Sequence, residues 1–143
     1  MGLDIVVAGY IVKGKKVLLI DHKKLKQWLP VGGHIEKNET PDDALRREIK
    51  EELDLKVNFV HYPDPKKGNN KEYALPFYVN KHHIKEKHEH YCLFYLCTPK
   101  SNSIKPNMQE IDGYRWFSKE DLSDKRVSKS VKLIALEAIS LVK

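Results

Sequence analysis

The chain has 143 residues, a length that suits one domain over residues 1–143. Its 41% hydrophobic and 32% charged residues supply one real core and exclude a disordered chain. With 26 Lys+Arg against 20 Asp+Glu, the net charge of +6 favours anionic partners, nucleic acid or small phosphorylated molecules, or else only a solvated lysine-rich surface. The longest apolar runs, residues 5–12 and 17–20, fall far short of the ~20 residues of a spanning helix. No secretory leader is readable, because Asp4 sits where a basic segment belongs and no apolar stretch leads to a cleavage site. Cys92 and Cys97 build no disulfide framework and are not spaced as CxxC, so a reducing cytoplasm is the expected compartment.

Residues 3–12 are β-branched and apolar and read as a strand. Lys13-Gly14 marks a turn, and residues 17–21 read as the returning strand of a hairpin. Residues 28–33 form a short extended piece ending in Gly32-Gly33, a pair that permits backbone angles or close approaches closed to other residues. A helix is predicted over residues 41–53. Thr40 is its N-cap, Pro41 suits the first turn, Asp42 and Asp43 complement the dipole, and Leu45, Ile49 and Leu53 form the buried stripe. Strands are expected at residues 57–62, 75–80, 88–98 and 113–118, with a long polar loop at 63–72. An amphipathic helix over 127–142 closes the chain, with Val127, Val131, Ile134, Ala138 and Leu141 on one face. This alternation argues for an α/β sandwich.

The first helix carries something its stability does not explain. Glu48, Glu51 and Glu52 fall within an arc of about 100° beside the apolar stripe. Like charges at that spacing cost a few tenths of a kcal/mol per pair, and the C-terminal end of the dipole disfavours anions. A hard divalent cation, Mg²⁺ or Mn²⁺, would favour the arrangement; a solvated acidic face relieved by Arg46, Arg47 and Lys50 is the plain alternative.

The stretch Gly33-His34-Ile35-Glu36-Lys37-Asn38-Glu39, seven residues, then Arg47-Glu48-Ile49-Lys50-Glu51-Glu52-Leu53-Asp54-Leu55 resembles the Nudix box. One specified position departs: Asp54 stands where the box has Gly. The site lies just past the helix, where a left-handed residue is wanted, and Asp is among the few other residues that adopt that conformation, at a cost of roughly 1 kcal/mol. The resemblance implies a Nudix-type α/β/α sandwich with a mixed β-sheet. It implies divalent-metal-dependent hydrolysis of a nucleoside diphosphate linked to another moiety, with Mg²⁺ as cofactor and Mn²⁺ as substitute. By position, Glu48, Glu51 and Glu52, with the carbonyl of Gly32, would hold the metal. Arg47 would orient the carboxylates, and Glu39 would sit behind them or reach the metal through water. An ordinary surface arginine and a solvated cap residue are the bland alternatives for these two.

Glu110, in a loop (residues 105–112) that reads as mobile, resembles the placement of the general base in some members of the family; Asp112 and the histidines are its rivals, and activation by the box alone is a further reading. His82, His83, His88 and His90 cluster near a strand start, with His88 and His90 on one face. They read as substrate contacts to a base or phosphate, as a zinc site with Cys92, or as half-exposed strand residues near a pocket mouth. Trp28, just before the Gly-Gly pair, is a pocket-wall candidate. The three box glutamates favour an enzyme over a non-catalytic Nudix-fold module binding a nucleotide or RNA. An isopentenyl-diphosphate isomerase on the same fold would need Cys92 or Cys97 as a catalytic thiol. The expected partner is a nucleotide-type small molecule, with RNA less favoured, no membrane, and a monomer or homodimer.

Overall fold

A computed structural model describes residues 2–63 and 71–143. The predicted polar loop therefore lies, at residues 64–70, outside the described residues. Eight strands form one mixed sheet around β1 (Gly2–Lys13) and β7 (His88–Pro99). These two run parallel, from Gly2 opposite His88 to Ile11 opposite Cys97. β1 also pairs antiparallel with β2 (Lys16–His22) at one end and with β4 (Val31–His34) at the other. β3 (Trp28–Leu29) and β8 (Ile111–Phe117) flank β2, whereas β5 (Val57–Phe59) and β6 (Tyr78–Lys85) pair with β7. The hairpin between β1 and β2 closes over Gly14 and Lys15, both left-handed at φ 57° and 61°, as a two-residue turn between tightly twisted strands demands.

The apolar run of β1 is buried on both faces, because a helix covers each. Val7 and Ile11 pack toward α1 (Pro41–Leu53) with Leu45, Ile49, Tyr95 and Cys97. Val6, Ala8, Tyr10 and Val12 pack toward α2 (Lys129–Leu141) with Phe94, Leu96, Ile134 and Ala138. This is the expected α/β/α sandwich with a mixed sheet.

Three expectations need correction. The strand placed at 75–80 begins at Tyr78 and continues to Lys85, because Lys81, His82 and His83 pair with Tyr91, His90 and Glu89. That pairing uses backbone groups and leaves no hydrophobic alternation to read. The strand placed at 57–62 ends at Phe59. Helix α2 begins at Lys129, after Val127, and its inner face is Val131, Ile134, Ala135 and Ala138, turned toward Ala135 and away from the 42% exposed Leu141.

Candidate active site

Helix α1 begins as its sequence dictates: Thr40 Oγ1 accepts a hydrogen bond from the Asp43 amide at 3.2 Å, and Pro41 occupies the first turn. Burial of Ala44, Leu45, Ile49 and Leu53 against the sheet fixes its rotation. The neighbouring stripe of Glu48, Glu51 and Glu52 then faces a cleft of about 860 Å³ beside β4.

At the two glycines of β4 it is contact, not backbone angle, that limits a side chain: backbone closes the space at Gly32, and the end of the Glu48 side chain fills it at Gly33. A Cβ on Gly32 would lie 2.0 Å from the Val7 carbonyl, and one on Gly33 would lie 2.4 Å from Glu48 Oε1. The carboxylate of Glu48 thus occupies the space a side chain at 33 would need.

Arg47 uses both prongs of its guanidinium. Its Nε and Nη2 donate to Glu39 at 2.7 and 3.1 Å, Nη1 donates to Glu48 at 3.0 Å and to Glu51 at 3.4 Å, and Nη2 also donates to the His34 carbonyl at 3.0 Å. A planar fork is needed for this, and lysine would not replace it. Glu39 is further held by the Glu36 amide at 2.9 Å. The Arg47 hydrogen bonds, then that amide, draw the Glu39 carboxyl below the ordinary range. Glu39 therefore buttresses Arg47 rather than lining the cleft.

Glu52 is the outlier. Its Oε2 is buried and has no hydrogen-bond partner. Burial, then the Glu48, Glu110 and Glu51 carboxylates, push its pKa up to about 8. Burial also raises Glu48, against the pull of Arg47. Glu110 lines the same cleft. Its loop is tied to the end of α1: the Lys105 and Asn107 amides donate to the Leu53 and Glu52 carbonyls at 2.9 and 2.8 Å, and the Glu110 amide donates to Asn107. These bonds satisfy helix carbonyls that would otherwise lack partners. They also make the loop anchored where the sequence read as mobile. Asp112 is elsewhere, bridged to Lys23 at 2.9 Å and Lys26 at 3.4 Å, and is absent from the cleft wall. Crowded oxygen donors, one of them buried without a partner, are the chemistry that a hard divalent cation fits.

The sequence matches the family model for the NUDIX domain over residues 3–136. The chain belongs to the Nudix family. A crystal structure of a NUDIX-family hydrolase from Clostridium perfringens is similar at TM-score 0.87 and 32% identity, covering 100% of both chains. A MutT NUDIX hydrolase from Burkholderia pseudomallei shares the fold at TM-score 0.73 and 19% identity, again covering 100% of both. An uncharacterised Nudix hydrolase from Nostoc sp. is 55% identical over 31 residues, 22% of this chain and 18% of that relative. The chain thus aligns with under a fifth of that curated relative's length.

The departure from the Nudix box at Asp54 is resolved locally. Asp54 adopts φ 49° and ψ 42°, its amide donates to the Lys50 carbonyl, and its carboxylate pairs with the Lys50 ammonium. The left-handed cap that the family's Gly supplies is therefore present in this Nudix chain with Asp in its place.

Other expected contacts move. Trp28 does not line the cleft; it packs edge-on against Phe117 at 5.1 Å under the Arg126 guanidinium, because β3 turns it into the α2-side core. His90 lines the cleft, but His88 stands behind it, bonded to Asp4 at 3.2 Å. The zinc grouping of His82 or His83, His88 and Cys92 is not what converges among the described residues; Asp4, His34 and His90 do. Cys92 lies on the cleft wall with its thiol pushed up to about 12 by burial, and Cys97 is raised likewise, so neither is an activated nucleophile. Three cleft residues carried no functional signal in the sequence: Tyr10, whose hydroxyl is buried without a partner, and Glu36 and His34, which line the cleft with the glutamates. Tyr10 gave no signal in an apolar strand, and His34 and Glu36 occupy unspecified positions of the box.

Proposed function

We propose that the chain is a pyrophosphohydrolase that uses Mg²⁺, or Mn²⁺ in its place, to cleave a nucleoside diphosphate linked to another moiety. The observation that carries this reading is the buried Glu52 Oε2, which has no hydrogen-bond partner, in a carboxylate crowded by Glu48, Glu51 and Glu110. Glu48, Glu51 and Glu52, with the Gly32 carbonyl, would hold the cation, which supplies charge neutralisation to phosphate oxygens. Arg47 keeps Glu48 and Glu51 aligned, with Glu39 fixing Arg47 in turn. Glu110, at the cleft wall, takes the proton of the attacking water as its oxygen bonds to phosphorus and the anhydride P–O bond breaks.

The cleft also has an apolar lining, with Leu29, Phe94, Val131 and Ile134, which suits the face of a flat heterocycle. His90 lines the same cleft and is a candidate contact to base or phosphate. The chain acts as one unit over residues 1–143. The two free, buried cysteines accord with a cytoplasmic setting, and no helix among the described residues is long and apolar enough to cross a membrane.

The test is a hydrolysis screen over nucleoside triphosphates, nucleotide sugars, ADP-ribose, dinucleoside polyphosphates and capped RNA with Mg²⁺ and Mn²⁺. Turnover that Glu52→Gln abolishes supports the reading. Nucleotide or RNA binding with no turnover of any compound would make the chain a binding module instead.

A further inference from the structure

The outer end of the cleft holds a second cluster, chemically unlike the first. In the parallel pairing of β1 with β7, Asp4 lies opposite His90, and in the pairing of β6 with β7, His82 also lies opposite His90. His34 lies opposite Val6 on β4, one same-face step from Asp4. Four strands thus bring these residues to one end of one sheet face. His34 Nε2 is 3.1 Å from Asp4 Oδ2, and His88 Nε2 is 3.2 Å from the same oxygen. The His90 ring stands 5.3 Å from that of His34, 5.1 Å from His88 and 5.9 Å from His82.

We propose that Asp4, His34 and His90 form a binding site for a borderline transition-metal ion, Zn²⁺ by preference, separate from the glutamate site on α1. One donor atom from each of the three lies within 4.8 Å of the others. Donors around a tetrahedral zinc stand about 3.4 Å apart, so small rotations of the exposed His34 and the half-buried Asp4 and His90 complete the triad. Two imidazoles and one carboxylate suit first-row transition ions, Zn²⁺ and Fe²⁺ among them, whereas Mg²⁺ prefers an all-oxygen set such as the box supplies.

The surroundings agree with a ligand set. His88 also contacts the Asp4 carboxylate, at the oxygen that His34 meets, as the outer partners of metal ligands do. The backbone of His34 is fixed by the Arg47 bond to its carbonyl. Crowded imidazoles repel one another once protonated, and coordination by their neutral forms removes that cost. Three protein donors leave a coordination position open toward the cleft, which His34 and His90 both line.

The full chain, stripped of metal by chelation, is titrated with Zn²⁺ by calorimetry and with Co²⁺ by visible absorption. Both titrations are repeated in a Glu48→Gln/Glu52→Gln background, which removes the box site and makes the result independent of the hydrolase reading. The expected result is one Zn²⁺ per chain in that background, with Co²⁺ bands of low coordination number. His34→Ala and His90→Ala should each weaken Zn²⁺ at least about tenfold, while His83→Ala leaves it unchanged. Asp4→Asn, which keeps the side chain's shape, should also weaken it, and melting curves in chelator confirm that each variant folds. If His90→Ala fails to fold, His90→Gln takes its place. Zn²⁺ binding that vanishes in the Glu48→Gln/Glu52→Gln protein, or that survives both histidine substitutions, overturns the proposal.

Discussion

Gly33 and Glu48 share one space: the position a Cβ would take on Gly33 is 2.4 Å from Glu48 Oε1 and 2.5 Å from its carboxyl carbon. Strand β4 therefore abuts the carboxylate, and the same contact that packs α1 onto the sheet sets the depth at which Glu48 enters the cleft. Gly33→Ala should displace the carboxylate without removing it. The expected outcome is a metal requirement raised about tenfold or more and a stability loss of about 1–3 kcal/mol, the usual cost of overpacking. Metal-dependence curves and a denaturant titration measure both; unchanged metal dependence would show that Glu48 moves freely.

Glu52 titrates in the wrong range for a surface carboxylate, at about 8 against an ordinary 4.5. The folded protein binds this proton more tightly than the unfolded chain. Its contribution to stability is therefore complete below pH 4.5 and is lost as pH rises through about 8 in metal-free protein. Each tenfold difference in proton affinity between the folded and unfolded chain is worth about 1.4 kcal/mol, so the loss amounts to a few kcal/mol. Chemical denaturation of chelated protein at pH 5 and pH 9 should show this decline, and Glu52→Gln should flatten it. Mg²⁺ should restore stability at the alkaline end in the wild-type protein only.

Glu110 and Asp112 are two residues apart and face different surroundings. Glu110 lines the cleft, and Asp112 is engaged by Lys23 and Lys26. Glu110→Gln should lower kcat by about 10²–10⁴-fold with KM little changed. Asp112→Asn should keep kcat within about threefold. The reverse pattern would assign the base to Asp112, and two neutral substitutions would leave water activation to the box.

Asp54 holds a left-handed backbone at φ 49°. Asp54→Gly relieves that strain but loses the surface pair with Lys50, a contact worth little in water. A net gain of up to about 1 kcal/mol in unfolding free energy is expected, with turnover unchanged. A loss of stability would mean that the pair with Lys50 outweighs the backbone strain.

The local parts of this protein were legible in the one-dimensional pattern. Helix α1 was readable to the residue, since capping and 3.6-residue periodicity act within a few positions of one another. The glutamate stripe and the left-handed cap at Asp54 follow from the same short-range rules. The hairpin turn at Gly14-Lys15 is equally local. Beyond that hairpin, the tertiary structure alone decided which strands became neighbours. Gly2 lies opposite His88 across eighty-odd residues of chain, and no periodicity within either strand encodes that partner. This pairing and those of β3, β4 and β6 gather Asp4, His34 and His90, draw the polar segment 81–85 into a strand, and set Trp28 against the core. Backbone ladders accept almost any side chain, so residues brought together by them carry no signature in sequence. Glu110 falls between the two cases. Its type and approximate place were readable, but its anchorage depends on amides of its loop meeting carbonyls at the end of α1.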